Sequence, residues 1–161
     1  MMQHRIESIT EKKLVGMSLE MSLVENQTAV LWRSFMPRRK EILHTLSNDL
    51  ISMQVYAKLA DIQTFQPAVV FEKWAAVEVS EWAEIPEKMK TFALPSGLYA
   101  VFSYKGTAAH APEAFQYIFG VWLPSSEFEL DHRPHFEVLG EKYKNNDPDS
   151  EEEIWIPIRI K

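Results

Sequence analysis

The feature of this 161-residue chain that most constrains its fold is a pair of matching segments about 80 residues apart. Residues 72–79 read Glu-Lys-Trp-Ala-Ala-Val-Glu-Val, and residues 153–160 read Glu-Ile-Trp-Ile-Pro-Ile-Arg-Ile. Both segments alternate in side-chain character with a period of two, which is typical of β-strands. In both, a glutamate precedes a tryptophan by two positions, so the acid and the indole share one face of the strand.

The predicted elements around this pair repeat as well. Alternation predicts strands, a spacing of three and four predicts helices, and together they give the order strand, helix, strand, strand twice. The predictions are strands over 13–21, 51–56, 69–79, 98–104, 133–143 and 153–160, and helices over 26–35 and 112–122. Residues 58–66 are predicted to be a loop, and the polar segment 81–90 is the joint between the two halves.

Two copies of a unit of roughly 80 residues predict a pseudo-twofold domain, since such a unit is too long for a solenoid repeat. We therefore predict an α+β fold with duplicated β-α-β-β halves, about 1–80 and 91–161, in one domain over residues 1–161. Each half is expected to be a three-stranded antiparallel sheet with its helix on one face. The second faces are expected to meet each other or a ligand in a central cleft, because apolar surface is rarely left exposed.

The last two predicted strands suggest where a ligand would bind. Alternation places Phe136 on one face of its strand and Glu137 on the other. If this strand pairs with the last one as a hairpin, Glu137 joins Glu153 and Trp155 on the face opposite the isoleucines. A desolvated carboxylate is costly unless a partner such as a ligand cation neutralises it. An indole adds attraction of roughly 0.5–2 kcal/mol for a cation within about 6 Å, so the pattern favours apolar, positively charged compounds.

Six residues are candidates for contacts with such a ligand. They are Glu137, Glu153, Trp155, Trp74, Tyr56 and Tyr99. Each also has a purely structural interpretation. A glutamate on a strand is often solvated, and Glu153 ends the acidic run 151–153, which is typical of exposed chain. Tryptophan and tyrosine commonly pack in cores, so the pattern alone leaves both interpretations open.

Composition excludes several kinds of site. The chain has no cysteine, hence no disulfide, thiolate metal site or cysteine nucleophile. Its five histidines lack metal-ligand spacing and its five glycines are too scattered for a phosphate loop, so we predict no metal and no cofactor. The net charge of -6 argues against nonspecific nucleic-acid binding and suits a neutral or cationic small molecule.

Targeting signals are not evident in the sequence. No apolar run approaches the roughly 18 residues of a membrane span, and residues 1–5 lack the apolar stretch of a signal peptide. We therefore expect a cytoplasmic protein without membrane contact. A protein partner and the oligomeric state are left open.

Four motifs carry a family resemblance. They are Leu-Pro-Ser-Gly-Leu-Tyr-Ala-Val-Phe-Ser-Tyr-Lys-Gly at 94–106, Val-Trp-Leu-Pro at 121–124, Pro-His-Phe-Glu at 134–137 and Glu-Ile-Trp-Ile-Pro-Ile at 153–158. In order and spacing they resemble the second half of GyrI-like (gyrase-inhibitor-like) effector-binding domains, which also form the ligand-binding parts of some AraC-type and MerR-type transcription regulators. The resemblance implies a duplicated strand-helix-strand-strand fold whose cleft binds bulky apolar, often cationic compounds through an acid surrounded by aromatic side chains.

The resemblance also implies roles for individual residues. Glu137 matches the glutamate of the family's Pro-x-Phe-Glu strand, Glu153 and Trp155 match its closing strand, and Trp74 falls where the first half offers an aromatic side chain. Unlike the regulator members, the chain has no room for a helix-turn-helix domain, so we expect no direct operator binding.

Three functional hypotheses follow. The first is a binding module that senses or sequesters a bulky apolar or cationic compound, acting alone or in transcription through partners. The second is a hydrolase, because some family members are similar to enzymes that open strained cyclopropane rings. In that case a raised pKa at a desolvated Glu137 would suit general acid-base work. The third is a protein inhibitor whose acidic surface mimics nucleic acid.

Overall fold

The computed structural model describes residues 2–64 and 66–161. The strands of this part of the chain are β1 (His4–Ile9), β2 (Lys12–Met21), β3 (Leu50–Tyr56), β4 (Phe71–Val79), β5 (Lys90–Leu94), β6 (Gly97–Lys105), β7 (Phe128–Leu130), β8 (His135–Leu139) and β9 (Glu151–Ile160). The helices are α1 (Thr28–Phe35), α2 (Leu59–Thr64), α3 (Ala111–Tyr117) and α4 (Leu123–Ser125). Short 3₁₀ segments cover Met36–Glu41 and Ala108–His110, and a π-helical segment, Ile118–Trp122, continues α3. None of the described helices is both long and apolar enough to cross a membrane.

All nine strands of the described chain belong to one antiparallel sheet. The strand order is β1-β6-β9-β8-β3-β4-β2-β5, and β7 pairs with the outer end of β9. The order is symmetric about the central β8–β3 pair, with β9 equivalent to β4, β6 to β2 and β1 to β5. This symmetry confirms the predicted α+β fold with two β-α-β-β halves.

The two halves exchange their first strands. β1 precedes β2 in the sequence but pairs with β6 of the second half, and β5 precedes β6 but pairs with β2 of the first half. The prediction of three-stranded sheets is therefore wrong, because each half gains a strand from the other and the halves join through β3 and β8. The sequence analysis missed β1, β5 and β7, which are short strands at or near the edges of the sheet.

One side of the sheet, which we call the inner face, holds the core shared by the halves. A row of Met53, Trp74, Phe136 and Trp155 crosses its four central strands. Their cluster includes residues of β1 and β6 at one end of the sheet and of β2 and β5 at the other. The sheet therefore curls until its ends pack together, and the second faces meet each other, which is one of the two predicted arrangements.

The other side, which we call the outer face, carries the helices. Leu31 and Phe35 of α1 pack on Ala75 and Val77 of β4. In the second half, Ala114 of α3 and Ile118 pack on β6 and on the isoleucines of β9. The two helices cover separate parts of the outer face, and a gap remains over the central strands between them. Helix α2 lies at this gap, where the sequence predicted a loop over 58–66; residue 65 of that loop lies outside the described residues.

Candidate functional site

The pairing register of β8 and β9 separates the two acids that the sequence analysis placed together. Phe136 lies opposite Trp155, and Glu137 lies opposite Ile154. Glu137 is therefore on the outer face with the isoleucines, whereas Trp155 is on the inner face. The prediction that Glu137, Glu153 and Trp155 share one face is wrong. A shift of one residue in register turns every side chain of a strand to the opposite face.

On the outer face, a cavity of about 70 Å³ lies in the gap between the helices. Its lining comes from the central strands, from α2 and from α3 with its π-helical continuation. The lining residues are Gln54, Tyr56, Ile62, Phe115, Phe119, His135, Phe136, Glu137, Ile154, Trp155 and Ile156. Phe136 and Trp155 border the cavity from within the sheet, since their side chains belong to the inner-face core. The cavity is thus mainly aromatic and aliphatic, with one carboxylate at its wall.

Behind this wall lies a polar cluster that extends across four strands. Lys73 of β4 is buried and donates a hydrogen bond of 2.8 Å from its Nζ to the side-chain oxygen of Gln54. The amide nitrogen of Gln54 donates to the backbone oxygen of His135 at 3.2 Å. Lys73, Gln54 and His135 lie opposite one another on β4, β3 and β8. This chain of contacts fixes the polar side of the cavity.

A second carboxyl group, that of Glu152 on β9, lies beside the carboxyl group of Glu137 on β8, on the same face of the sheet. Burial, followed by the interaction with the neighbouring Glu137, raises the pKa of Glu152 to about 9. Burial also lowers the pKa of Lys73, and the charge of Glu137 opposes this shift. At neutral pH Glu152 is therefore protonated, because two close carboxylates away from water do not both ionise readily.

His135 lines the cavity two residues before Glu137. Its side chain packs against Tyr56 and Phe119, with ring centroids 6.0 and 6.2 Å away. Burial, together with the charges of Arg133 and His132, lowers the pKa of His135 to about 3. The imidazole is consequently neutral at physiological pH and does not repel a cation.

The structure brings three of the six sequence-predicted residues to this cavity. Tyr56 and Glu137 line it, and Trp155 borders it. Trp74 and Tyr99 are 3% and 0% exposed within the inner-face core. The hydroxyl of Tyr99 donates to the backbone oxygen of Pro134 at 2.8 Å. Glu153 lies on the inner-face side of β9, and neither it nor Trp74 nor Tyr99 is part of the cavity lining.

The repeated acid and indole form matching contacts within the protein. The indole nitrogen of Trp155 donates to Glu153 at 3.2 Å, and that of Trp74 donates to Glu72. A cation from each exchanged strand completes the group. Arg5 of β1 lies over Trp155 at 5.7 Å and contacts Glu153 at 2.9 Å.

The equivalent cation in the first half is Lys90 of β5, which lies over Trp74 at 5.1 Å and within 3.8 Å of Glu72. The two acid-and-indole groups, which the sequence suggested as cation sites, are thus both occupied by cations of the chain itself, Arg5 and Lys90.

Sequence reasoning missed several residues of the cavity. Phe115 and Phe119 lie within the helix predicted over 112–122 and its helical spacing, and that spacing carries no sign that they border a cavity. Glu152 was read as part of an exposed acidic run. A signal for the polar cluster was present in Lys73, the lone charge on an otherwise apolar strand face. Among the described residues, no group of three or more acids and histidines is arranged to hold a metal ion.

Comparison with known proteins identifies the class. The GyrI-like small molecule binding domain matches residues 2–159, so the chain belongs to the GyrI-like family. It is 32% identical over 146 residues to the transcriptional regulator BrlR of Pseudomonas aeruginosa. That match covers 90% of this chain and 51% of BrlR, so the chain spans about half the length of this regulator.

Solved structures share the fold at low identity. The EcmrR C-terminal domain superposes with a TM-score of 0.72 at 12% identity, covering 99% of each chain. SAV2435, solved bound to tetraphenylphosphonium, superposes with a TM-score of 0.63 at 16% identity, covering 98% of this chain and 94% of SAV2435. These two proteins therefore document the fold, and the family match documents a small-molecule-binding domain.

Proposed function

We propose that this domain binds an apolar, cationic small molecule in the outer-face cavity, with Glu137 as the acid that meets the positive charge. The observation that carries the proposal is the half-buried Glu137 carboxylate at the wall of a cavity built otherwise from Tyr56, Phe115, Phe119 and isoleucines. A cation relieves the cost of that desolvated charge. The bound tetraphenylphosphonium of SAV2435 gives an example of such a ligand on the same fold.

The aromatic walls supply the second part of the selectivity. The face of a tyrosine or phenylalanine ring attracts a cation, and each such contact contributes about 0.5–2 kcal/mol when water is excluded. Apolar groups of the ligand would displace water from Ile154 and Ile156 at the floor of the cavity. The combination favours compounds that are apolar and positive over compounds that are only one of these.

The cavity is small, so part of its lining must move before a bulky ligand can enter. A volume of about 70 Å³ admits a small group, whereas pockets for drug-sized ligands have volumes of roughly 300–1,000 Å³. One wall of the cavity is formed by α3 and its π-helical continuation. There Phe115 of α3 stacks on Phe119 of the π-helical segment. The π-helical turn Ile118–Trp122 interrupts regular α-helical bonding there. We propose that this wall moves outward when a bulky ligand enters.

The biological role that fits is sensing. BrlR is a transcriptional regulator, and this chain matches about half of it. A ligand-dependent movement of α3 would change the surface that a protein partner or an adjoining domain contacts. On this proposal the domain acts in the cytoplasm and transmits ligand binding through protein contacts rather than by holding nucleic acid itself.

The decisive experiment measures binding of tetraphenylphosphonium and of the neutral triphenylphosphine oxide by isothermal titration calorimetry. Wild type should prefer the cation, and Glu137→Gln should weaken cation binding by at least about tenfold, a loss of 1.4 kcal/mol, with little effect on the neutral compound. Glu72→Gln is the matched control, because Glu72 is a half-buried sheet glutamate on the inner-face side. Equal binding by wild type and Glu137→Gln would reject the proposal.

A second candidate function is hydrolysis, and one observation favours it. Glu152, protonated at neutral pH beside Glu137, could serve as a general acid next to a carboxylate base. An electrophilic cyclopropane compound should then be consumed over many turnovers, and Glu152→Gln should stop turnover without preventing binding. If the compound binds stoichiometrically and no product forms, the hydrolase function is rejected and only the sensing function stands.

A further inference from the structure

One residue that lines the outer-face cavity, His135, carries a buried polar atom that nothing in the described chain satisfies. His135 is 8% exposed, and its Nε2 has no hydrogen-bond partner among the described residues. Leaving a buried polar atom unpaired is unfavourable, because the atom has lost its hydrogen bonds to water without gaining others. A ligand that pairs with this atom gains binding free energy that a ligand without a matching group does not.

The position of His135 couples it to the charge-binding group. His135 and Glu137 are two residues apart on β8, so their side chains leave the same face about 7 Å apart. Both line the cavity. Contacts with Tyr56 and Phe119 hold the imidazole ring in place. A single cationic group between the two side chains is therefore within reach of both.

We propose that His135 makes this cavity selective for cations that donate a hydrogen bond, above all protonated amines, over permanently charged quaternary ammonium and phosphonium compounds. In the tautomer that carries its proton on Nδ1, the neutral imidazole accepts a hydrogen bond at Nε2 from an ammonium N–H, whose charge faces Glu137. A quaternary centre meets Glu137 equally well but leaves Nε2 unpaired. This selectivity rests on the proposed function, because it requires that cations bind in this cavity.

The test uses two naphthalene probes that differ by one methyl group. They are N,N-dimethyl-(2-naphthylmethyl)amine, protonated at pH 7, and trimethyl-(2-naphthylmethyl)ammonium. By calorimetry, wild type should bind the protonated amine at least about tenfold more tightly. His135→Phe should bring the two affinities within about twofold of each other. His135→Gln, which can place an acceptor near the position of Nε2, should retain a preference for the amine.

A second measurement on the unaltered protein avoids any dependence on how the variants fold. In spectra of protein with ¹⁵N-labelled histidine, the amine should shift the Nε2 resonance of His135 and the quaternary compound should leave it in place. Equal wild-type affinities, a preference that persists in folded His135→Phe, or an unmoved Nε2 resonance would each overturn the selectivity. Binding of neither probe would instead reject the proposed function itself.

Discussion

At the scale of single residues, the strongest electrostatic feature is the carboxyl pair of Glu137 and Glu152. Burial and the neighbouring Glu137 raise the pKa of Glu152 from its ordinary value of 4.5 to about 9. A carboxyl group with a higher pKa in the folded state holds its proton more tightly there than in the unfolded chain. Its favourable contribution is therefore complete below about pH 4.5 and is lost as the pH rises toward 9.

Glu152→Gln should remove this pH dependence, because glutamine mimics the protonated acid. The free energy of unfolding of wild type should fall relative to that of the variant by about 1–3 kcal/mol between pH 5 and pH 8, allowing for partial exposure and for Lys73. Urea denaturation at the two pH values measures the difference. Glu151→Gln, an exposed position on the same strand, is the control and should follow wild type. Parallel curves for wild type and Glu152→Gln would show that Glu152 is ionised in the folded protein.

At the scale of elements, two glycines differ in whether a side chain would fit at their position. A Cβ on Gly16 of β2 would lie 2.1 Å from the backbone oxygen of Ala75, whereas a Cβ on Gly120 would have no neighbour within 4 Å. Gly16→Ala should therefore destabilise the protein by about 1–3 kcal/mol through a shift of β2 against β4. Gly120→Ala should stabilise it by about 0.5–1 kcal/mol, since glycine is unfavourable inside a helix. Thermal unfolding of both variants checks this, and a neutral Gly16→Ala would contradict the packing of β2 on β4.

The elements also show what the sequence could and could not predict. The strand pattern of β2, β3, β4, β6 and β9 is clear because these strands lie inside the sheet and bury apolar side chains along their central residues, and all five were predicted. β1 and β5 were missed because polar edge strands carry little hydrophobic pattern. The register of β8 against β9 could not be read, since Ile154 and Trp155 are both buried and either one could accept the apolar residue of the neighbouring strand.

The candidate site was predictable only in part, because it depends on the register of β8 and β9 and on edge strands that the sequence pattern does not reveal. Glu137 and Tyr56 were found from their strands, but the acid-and-indole pattern that drew attention to the site belongs to the inner-face contacts with Arg5 and Lys90. Those cations come from the exchanged strands, which the sequence analysis did not find. The cavity's aromatic wall comes from α3, where a helical stripe gave no sign of an open space beside it.

At the scale of the whole molecule, the two faces of the curled sheet differ: the inner face is a closed core, and the outer face holds the cavity to which we assign the ligand. The inner face joins the two halves through a closed core, and the exchanged strands supply the counter-charges at its edges. The outer face leaves one polar and aromatic gap over the central strands, where both halves contribute. On the proposed function, a ligand in this gap would contact β3 of the first half and β8, β9 and α3 of the second, and would couple both halves to the wall that we propose to move.

The location of a bound cation tests this division of roles most directly. In a crystal structure of the complex with tetraphenylphosphonium, the phosphorus should lie within about 6 Å of the Glu137 carboxylate. Its phenyl rings should pack against Tyr56 and against Phe115 and Phe119, which will have moved outward from the sheet. A cation found instead on the inner-face side, beside Glu153 and Trp155 with Arg5 displaced, would contradict the account.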